Sequence, residues 1–364
     1  MKFLKNLNEN VAKVNPYQPG RPIEEVAREL GLDPHGITKL ASNESALGVS
    51  PSAIEAIKKY STEAHRYPDG GAYVLRQKIC KRHEVEPSEV IFGSGSNEVL
   101  VFLAQTFMGQ GKSVVASEKA FVIYKILSLM TGTDFIEVPM QGLTHDLNAM
   151  ADAIREDTAM VFVCNPNNPT GSMVTEEEID AFMAKVPEDV LVVFDEAYAE
   201  ICLGEMPNTM KYFRQGRASI VLRTFSKAYG LAGLRVGYGM GPSEIIQALE
   251  KPRQPFNTTL VGQVAAAAAL DDEQFLIDSR KTYLEGREFL ENLCDELGVT
   301  FERTYANFML MKVGDGAAIT KQLTEKGVIV RPMAPYQLGE WIRVSLGTME
   351  ENKAFAAAFR ELMS

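Results

Sequence analysis

Cysteine, histidine and tryptophan are scarce in this chain: four, four and one among 364 residues. Cys80, Cys164, Cys202 and Cys294 form no C-x-x-C pair and none lies near another. Such scatter fits reduced thiols in a core rather than a disulfide framework. His35, His65, His83 and His145 are equally dispersed and show no H-E-x-x-H spacing, so no metal site is expected. No uncharged apolar run approaches membrane-spanning length; the alanine run at 264–270 is too short and too small. The first twenty residues show neither an apolar h-region nor a small-residue cleavage site, so a cytoplasmic protein is expected. Basic residues are also in deficit. Lys and Arg total 37 against 48 Asp and Glu, a net charge of −11. That argues against a nucleic-acid binder, yet allows a basic pocket for a small anion inside an acidic molecule. Repeats and low-complexity linkers are absent.

What is present is a core. The hydrophobic fraction is 46%, and the length suggests two or three units. From about residue 90 to 240, short runs rich in Val, Ile and Phe alternate with amphipathic segments. The runs are 90–92, 113–116, 135–138, 160–163, 190–194 and 220–223, most of them reading as strands buried on both faces. Ser50-Pro51 and the Thr175…Glu178 capping box open two of the helices. Strand–helix alternation of this kind predicts an α/β fold with a mainly parallel sheet. Beyond 250 the pattern changes. A long helix over 271–297 stops at Gly298, and strands are expected at 308–312, 328–331 and 341–345, forming a separate α+β unit. The expected division is 1–40 as an arm and short helix against the small unit or a partner subunit, 41–250 as the large unit and 251–364 as the small one.

Four local features fall at predicted strand ends, where open α/β sheets bind ligands. Gly93-Ser94-Gly95-Ser96-Asn97-Glu98 is either a tight strand-to-helix turn or a phosphate cradle. Cys164-Asn165-Pro166-Asn167-Asn168-Pro169-Thr170-Gly171 is a fixed bend from which Asn168 could project its amide at a ligand. Asp195-Glu196-Ala197-Tyr198 follows an apolar strand; Asp195 is either a helix cap or a carboxylate awaiting a cation. Lys227 lies in an apolar, glycine-rich stretch with Arg235 eight residues on. A lysine so desolvated becomes nucleophilic toward carbonyls. Each feature alone has an ordinary structural explanation. Together they offer a phosphate cradle, an amide, a carboxylate, a tyrosine, a lysine and an arginine, the set that pyridoxal phosphate requires.

In this set the chain resembles the fold-type I aminotransferases of class I/II over nearly its whole length. The motifs are Asn-Asn-Pro-Thr-Gly at 167–171, Asp195-Glu196-Ala197-Tyr198, and Ser226-Lys227-Ala228-Tyr229-Gly230 with Arg235. Within the class it looks most like the histidinol-phosphate aminotransferases, on Pro16-Tyr17-Gln18-Pro19-Gly20, Leu40-Ala41-Ser42-Asn43-Glu44, His65-Arg66-Tyr67-Pro68-Asp69-Gly70, Gly-Leu-Ala-Gly-Leu-Arg at 230–235 and Val330-Arg331-Pro332. The resemblance implies a seven-stranded, mainly parallel sheet between helices plus a smaller α+β domain, and pyridoxal 5'-phosphate as cofactor. It implies that Lys227 forms the internal aldimine, that Asp195 pairs with the pyridine nitrogen, and that Tyr198 and Asn168 bond the ring oxygen. Ser94, Gly95, Ser96, Thr224, Ser226 and Arg235 match the phosphate-holding positions. Phe121 stands where an aromatic ring stacks on the cofactor and many relatives carry tyrosine. Tyr67 matches a tyrosine that reaches the other subunit's phosphate, which implies a homodimer. Arg343 matches the substrate anion clamp, Tyr17 and Arg331 match further substrate-phosphate contacts, and Asn43 joins the substrate-binding set.

The implied reaction is ping-pong transfer of an amino group between glutamate/2-oxoglutarate and histidinol phosphate/imidazole acetol phosphate. Lys227 would carry the proton, and an ionised Asp195 would keep the pyridine nitrogen protonated. An aromatic amino acid aminotransferase would use the same cofactor residues with a wider apolar pocket. A lyase or decarboxylase on the same scaffold would release ammonia or CO₂ without a keto acceptor. A non-catalytic regulator would need an added domain or a lost lysine. A nicotinamide dehydrogenase is disfavoured because Gly-Ser-Gly-Ser-Asn-Glu is not G-x-G-x-x-G.

Overall fold

A computed structural model of the protein describes residues 1–363. Its strands in chain order are β1 (Thr38–Lys39), β2 (Val90–Gly93), β3 (Ser113–Ser117), β4 (Asp134–Val138), β5 (Thr158–Cys164), β6 (Leu191–Asp195) and β7 (Ser219–Thr224). They continue with β8 (Gly237–Met240), β9 (Phe301–Glu302), β10 (Phe308–Lys312), β11 (Val328–Ile329), β12 (Arg331–Pro332) and β13 (Trp341–Ser345). Seven strands form one sheet in the order β2-β8-β7-β6-β5-β3-β4, and four form a second in the order β12-β13-β10-β9.

In the large sheet only β8 opposes the common direction, pairing antiparallel with β2 and with β7. β2, β5, β6 and β7 therefore release their C-terminal ends at one edge, and the four sequence features come together there. The apolar runs are continuous because both faces are covered. Phe92, Val115, Val161, Val163, Val192, Phe194 and Val221 enter one buried cluster, while their alternate neighbours Ile91, Val114, Phe162, Val193 and Ile220 enter the other. β4 departs from the expectation of two buried faces. It is the edge strand, and of its five residues only Val138 is buried.

The helix starts follow the chain chemistry. Thr175 Oγ1 accepts from the Glu178 amide at 3.3 Å, and Glu178 returns a carboxylate to the Thr175 amide at 2.7 Å. Ser50 caps Pro51–Tyr60, and Gly298, at φ 65°, ends the helix Glu273–Leu297. The alanines of Leu260–Ala269 let that helix lie against Pro51–Tyr60. The expected single strand 328–331 is instead two strands in different sheets. β11 pairs in parallel with β1, and β12 pairs antiparallel with β13. Pro332 has no N–H to donate, which suits it to the edge of a sheet. The β1–β11 pairing also ties the N-terminal stretch to the C-terminal unit.

Candidate active site

A cavity of about 310 Å³ opens at the strand-end edge of the large sheet, and the smaller sheet walls its other side. Every predicted site residue lines it except Ser94, Gly95 and Tyr67. Lys227 follows β7; its stem is enclosed, and its Nζ donates to the Ser42 carbonyl at 3.1 Å. Nζ also lies 5.9 Å from the Tyr198 ring centroid. Burial, with the nearby Arg343 cation adding to it, draws the ammonium down from 10.5 to about 8. The amine is thus far closer to neutrality than a surface lysine.

Asp195 ends β6 and is buried. Tyr124 Oη donates to its Oδ2 at 2.7 Å, whereas its Oδ1 is buried without a partner. Burial raises this carboxyl to about 6; the Tyr124 donation and the Ala197 amide pull it back. A lone buried carboxylate oxygen costs several kcal/mol unless something cationic or N–H-bearing meets it.

Arg343, on β13, is the counterpart. Its guanidinium is buried, donates to Asn168 Oδ1 at 2.6 Å and to the Ala41 carbonyl at 3.1 Å, and leaves Nε unpartnered. Among the described residues it forms no ion pair. A guanidinium only donates, so Asn168 must turn its oxygen toward Arg343, leaving its NH₂ available. Tyr198 is arranged similarly. Its hydroxyl accepts from Asn43 Nδ2 at 3.1 Å, so its own proton is left to donate. Burial holds that phenol well above its ordinary range. Asn43 sits at φ 54°, and its amide and side-chain oxygen both bond Ser345 Oγ, which ties this loop to β13.

Arg235 lies at the cavity mouth and donates to Ser226 Oγ at 3.1 Å and to the Ser94 carbonyl at 3.2 Å. Thr224 Oγ1 and Ser226 Oγ stand beside it, 3.1 Å apart. Ser96 and Asn97 open the helix Ser96–Phe107, and Asn97 Oδ1 is buried and unpartnered. Ser94 and Gly95 serve this corner indirectly. The Ser94 amide is taken by Glu98 at 2.6 Å, and its carbonyl orients Arg235. A Cβ on Gly95 would run into the Arg235 guanidinium, and one on Gly237 would run into the Gly95–Ser96 backbone. These two glycines let turn, strand and arginine close on each other.

Arg331 faces Arg343 across β12–β13. Its guanidinium donates to the Gln18 carbonyl and lies 5.6 Å from the Tyr17 ring centroid. Tyr67 is outside the cavity, 82% exposed and stacked on Phe256 at 4.7 Å. Among the lining or supporting residues that the sequence did not assign to the site are Ser42, Asn97, Tyr124 and Tyr336. Ser42 and Asn97 sit inside motifs already singled out. Tyr124 and Tyr336 carry no local signal, one being an apolar helix position and the other a turn residue. Among the described residues no group of three His, Cys, Asp or Glu side chains could hold a metal, and no helix is long and apolar enough to cross a membrane.

A mainly parallel sheet, a desolvated lysine and a lone carboxylate at its strand ends, and arginines from a second sheet define a fold-type I aminotransferase. Residues 35–359 match the family model described as aminotransferase class I and II, and the chain belongs to that family. It is 46% identical over 357 residues to a histidinol-phosphate aminotransferase of Akkermansia muciniphila, covering 98% of each chain. It is 44% identical over 359 residues to one of Moorella thermoacetica, covering 98% of this chain and 92% of that one. A crystal structure of the Sinorhizobium meliloti histidinol-phosphate aminotransferase in complex with pyridoxal-5'-phosphate superposes with a TM-score of 0.89 at 27% identity, covering 98% of each chain.

Proposed function

We propose that the protein is a pyridoxal-phosphate-dependent histidinol-phosphate:2-oxoglutarate aminotransferase. One observation carries the reading: the cavity holding Lys227 and the lone Asp195 oxygen also holds Arg343, a buried guanidinium with no carboxylate partner among the described residues. The residues fit the cofactor. Asp195 Oδ1 lacks the donor that a protonated ring nitrogen would provide, and Asn168 and Tyr198 each keep a proton for a ring oxygen. Ser96, Thr224, Ser226 and Arg235 gather donors for a phosphate at a helix N-terminus. When bound, pyridoxal phosphate supplies an electron-withdrawing ring that stabilises negative charge at the substrate Cα.

The chain's own part is orientation and proton transfer. Lys227 takes the Cα proton as a neutral amine and returns it as an ammonium, one group serving as base and then acid. Arg343 holds the anionic end of the substrate; its forked donors fit a carboxylate or a phosphate monoester. Arg331 and Tyr17 add the second charge and the wall that favour the phosphate. Residues 1–40 are read as an arm, 41–250 as the cofactor-binding unit and 251–364 as the smaller unit. The exposed Tyr67–Phe256 pair supports a homodimer in which Tyr67 completes the other copy's phosphate site. A cytoplasmic location is part of this reading.

Two measurements test the reading. Borohydride reduction of the cofactor-loaded protein followed by peptide mapping should label Lys227 alone. Turnover with 2-oxoglutarate should be far greater for histidinol phosphate than for phenylalanine. A preference for phenylalanine would make the protein an aromatic amino acid aminotransferase, and release of ammonia or CO₂ without a keto acceptor would make it a lyase or decarboxylase.

A further inference from the structure

One buried side chain in the site is left without a role by the function above. Tyr124 opens the helix Ile123–Thr131, and its amide bonds the Phe121 carbonyl, so a single turn carries both rings. Its own ring is fully buried, stacked on Phe162 of β5 at 4.4 Å and 6°, and edge-on to Phe121 at 5.8 Å and 88°. Packed between two aromatic neighbours, the ring has no room to turn its hydroxyl elsewhere. That hydroxyl donates to Asp195 Oδ2 at 2.7 Å. Burial, reinforced by the Asp195 charge, keeps the phenol protonated, so it is always a donor.

We propose that Tyr124 is a positioning residue for the reaction: it ties down Asp195 Oδ2, so that Oδ1 alone is offered to the cavity, and it keeps Asp195 charged there. The proposal rests on the reading of the cavity as a pyridoxal phosphate site. The physical reason is division of labour between the two carboxylate oxygens. A buried carboxylate without the tyrosine would rotate freely about its last torsion and would bind a proton itself more readily. The proton would then rest on Asp195 instead of on the ring nitrogen. Tyr124 also links Asp195 to Phe121, so the residue that would face one side of the cofactor ring and the residue that would meet its nitrogen belong to one packed unit. The other ionisable groups that act on this pair are Glu196, whose charge raises Asp195, the Tyr198 phenol, and the Cys164 thiol, which burial keeps protonated.

The test is the half-reaction of the cofactor-loaded full chain with glutamate, followed by absorbance from about pH 5.5 to 9. Removing a donor from a carboxylate raises its pKa, so the acid limb must move to higher pH. For Tyr124→Phe a move of about one pH unit is expected. The rate should fall roughly threefold near pH 6.5, approach a tenfold loss toward pH 5.5 and change little above pH 8, with apparent glutamate affinity within about twofold. Replacing Tyr124 by 3-fluorotyrosine, a more acidic donor of nearly the same size, should move the limb the other way. Phe162→Leu, which loosens the packing but keeps the hydroxyl, should lower thermal stability and move the limb less than Tyr124→Phe does. A uniform rate loss at every pH in Tyr124→Phe, or an unmoved limb in the fluorinated protein, overturns the proposal even if one variant folds poorly. Wild-type protein that fails to take up pyridoxal phosphate overturns the reading of the cavity first and the role of Tyr124 with it.

Discussion

Replacing Arg331 with alanine should separate the two substrates of the reaction. Arg331 and Arg343 are partners across β12–β13, and neither forms an ion pair among the described residues. Two guanidiniums facing one cavity repel each other until an anion arrives, and a phosphate monoester near neutrality carries close to two charges where a carboxylate carries one. Arg343 has two donors engaged with Asn168 and Ala41 and a free Nε, enough for one anionic group. Arg331 has one donor on the Gln18 carbonyl and the rest of its fork free. Losing a charge-assisted hydrogen bond to phosphate costs about 1.5–3 kcal/mol. That corresponds to a loss of roughly 10- to 150-fold in kcat/KM for histidinol phosphate. The glutamate half-reaction, resting on Arg343, should change by less than about threefold, because the lost attraction is offset by relieved repulsion. Steady-state kcat/KM for histidinol phosphate, compared with single-turnover rates for glutamate, measures both. Equal losses would refute the assignment of Arg331 to phosphate selectivity and leave it a structural ion at a sheet edge.

Two further outcomes follow from the charges. In the cofactor-free protein the Lys227 amine should react with a small acylating reagent with a pH midpoint near 8, because burial has drawn it down from 10.5; a midpoint near 10 would mean that the pocket is wetter than its geometry implies. Arg223 lies partly buried between Glu196 and Glu200, whose side chains are 1% and 5% exposed. Arg223→Ala should destabilise the fold by about 3–5 kcal/mol by stranding both carboxylates. Burial already raises Glu196, and losing Arg223 removes the cation that lowers it, so Glu196 takes up a proton more readily as the pH falls. The gap in denaturation midpoint from wild type should therefore narrow from pH 8 to pH 5, and a constant gap would point to lost packing instead of lost charge.

Much of this was legible in the sequence wherever one local rule decided the outcome. Continuous apolar runs announced strands covered on both faces, and β5, β6 and β7 alternate residues between the two buried clusters as such runs require. Thr175, Ser50 and Gly298 marked helix ends through their own hydrogen bonds or backbone angle. The failures came where distant chain segments set the outcome. β8 contains Gly237 and Gly239, which hide a strand from any propensity, and Gly237 is there because the Gly95–Ser96 turn presses against it. The run at 328–331 looked like one strand because nothing local says that β11 belongs with β1 and β12 with β13. At Ser94 the contact is local and still gave no signal: Glu98, four residues on, takes the Ser94 amide. Tyr124 reads as one more apolar helix residue until Asp195, 71 positions away, is seen beneath its hydroxyl.

The lone carboxylate oxygen and the lone guanidinium share a cavity and yet are kept from each other. A direct pair between Asp195 and Arg343 would offset the burial of both, and nothing in their charges prevents it. They stand apart on different sheets, Asp195 at the end of β6 and Arg343 on β13, and each is tied in place: Tyr124 holds one oxygen of Asp195, while Asn168 and the Ala41 carbonyl hold two donors of Arg343. Each ion stays half-satisfied, at a cost that the cores on either side of the sheet must cover. A molecule that relieves both at once needs an N–H or cationic group at one end and an anionic group at the other. Neither ion alone calls for so particular a combination. A protonated heterocycle joined to an amino substrate that ends in a carboxylate or phosphate has that shape, so the charges left unpaired in the folded chain describe the complex it is built to hold.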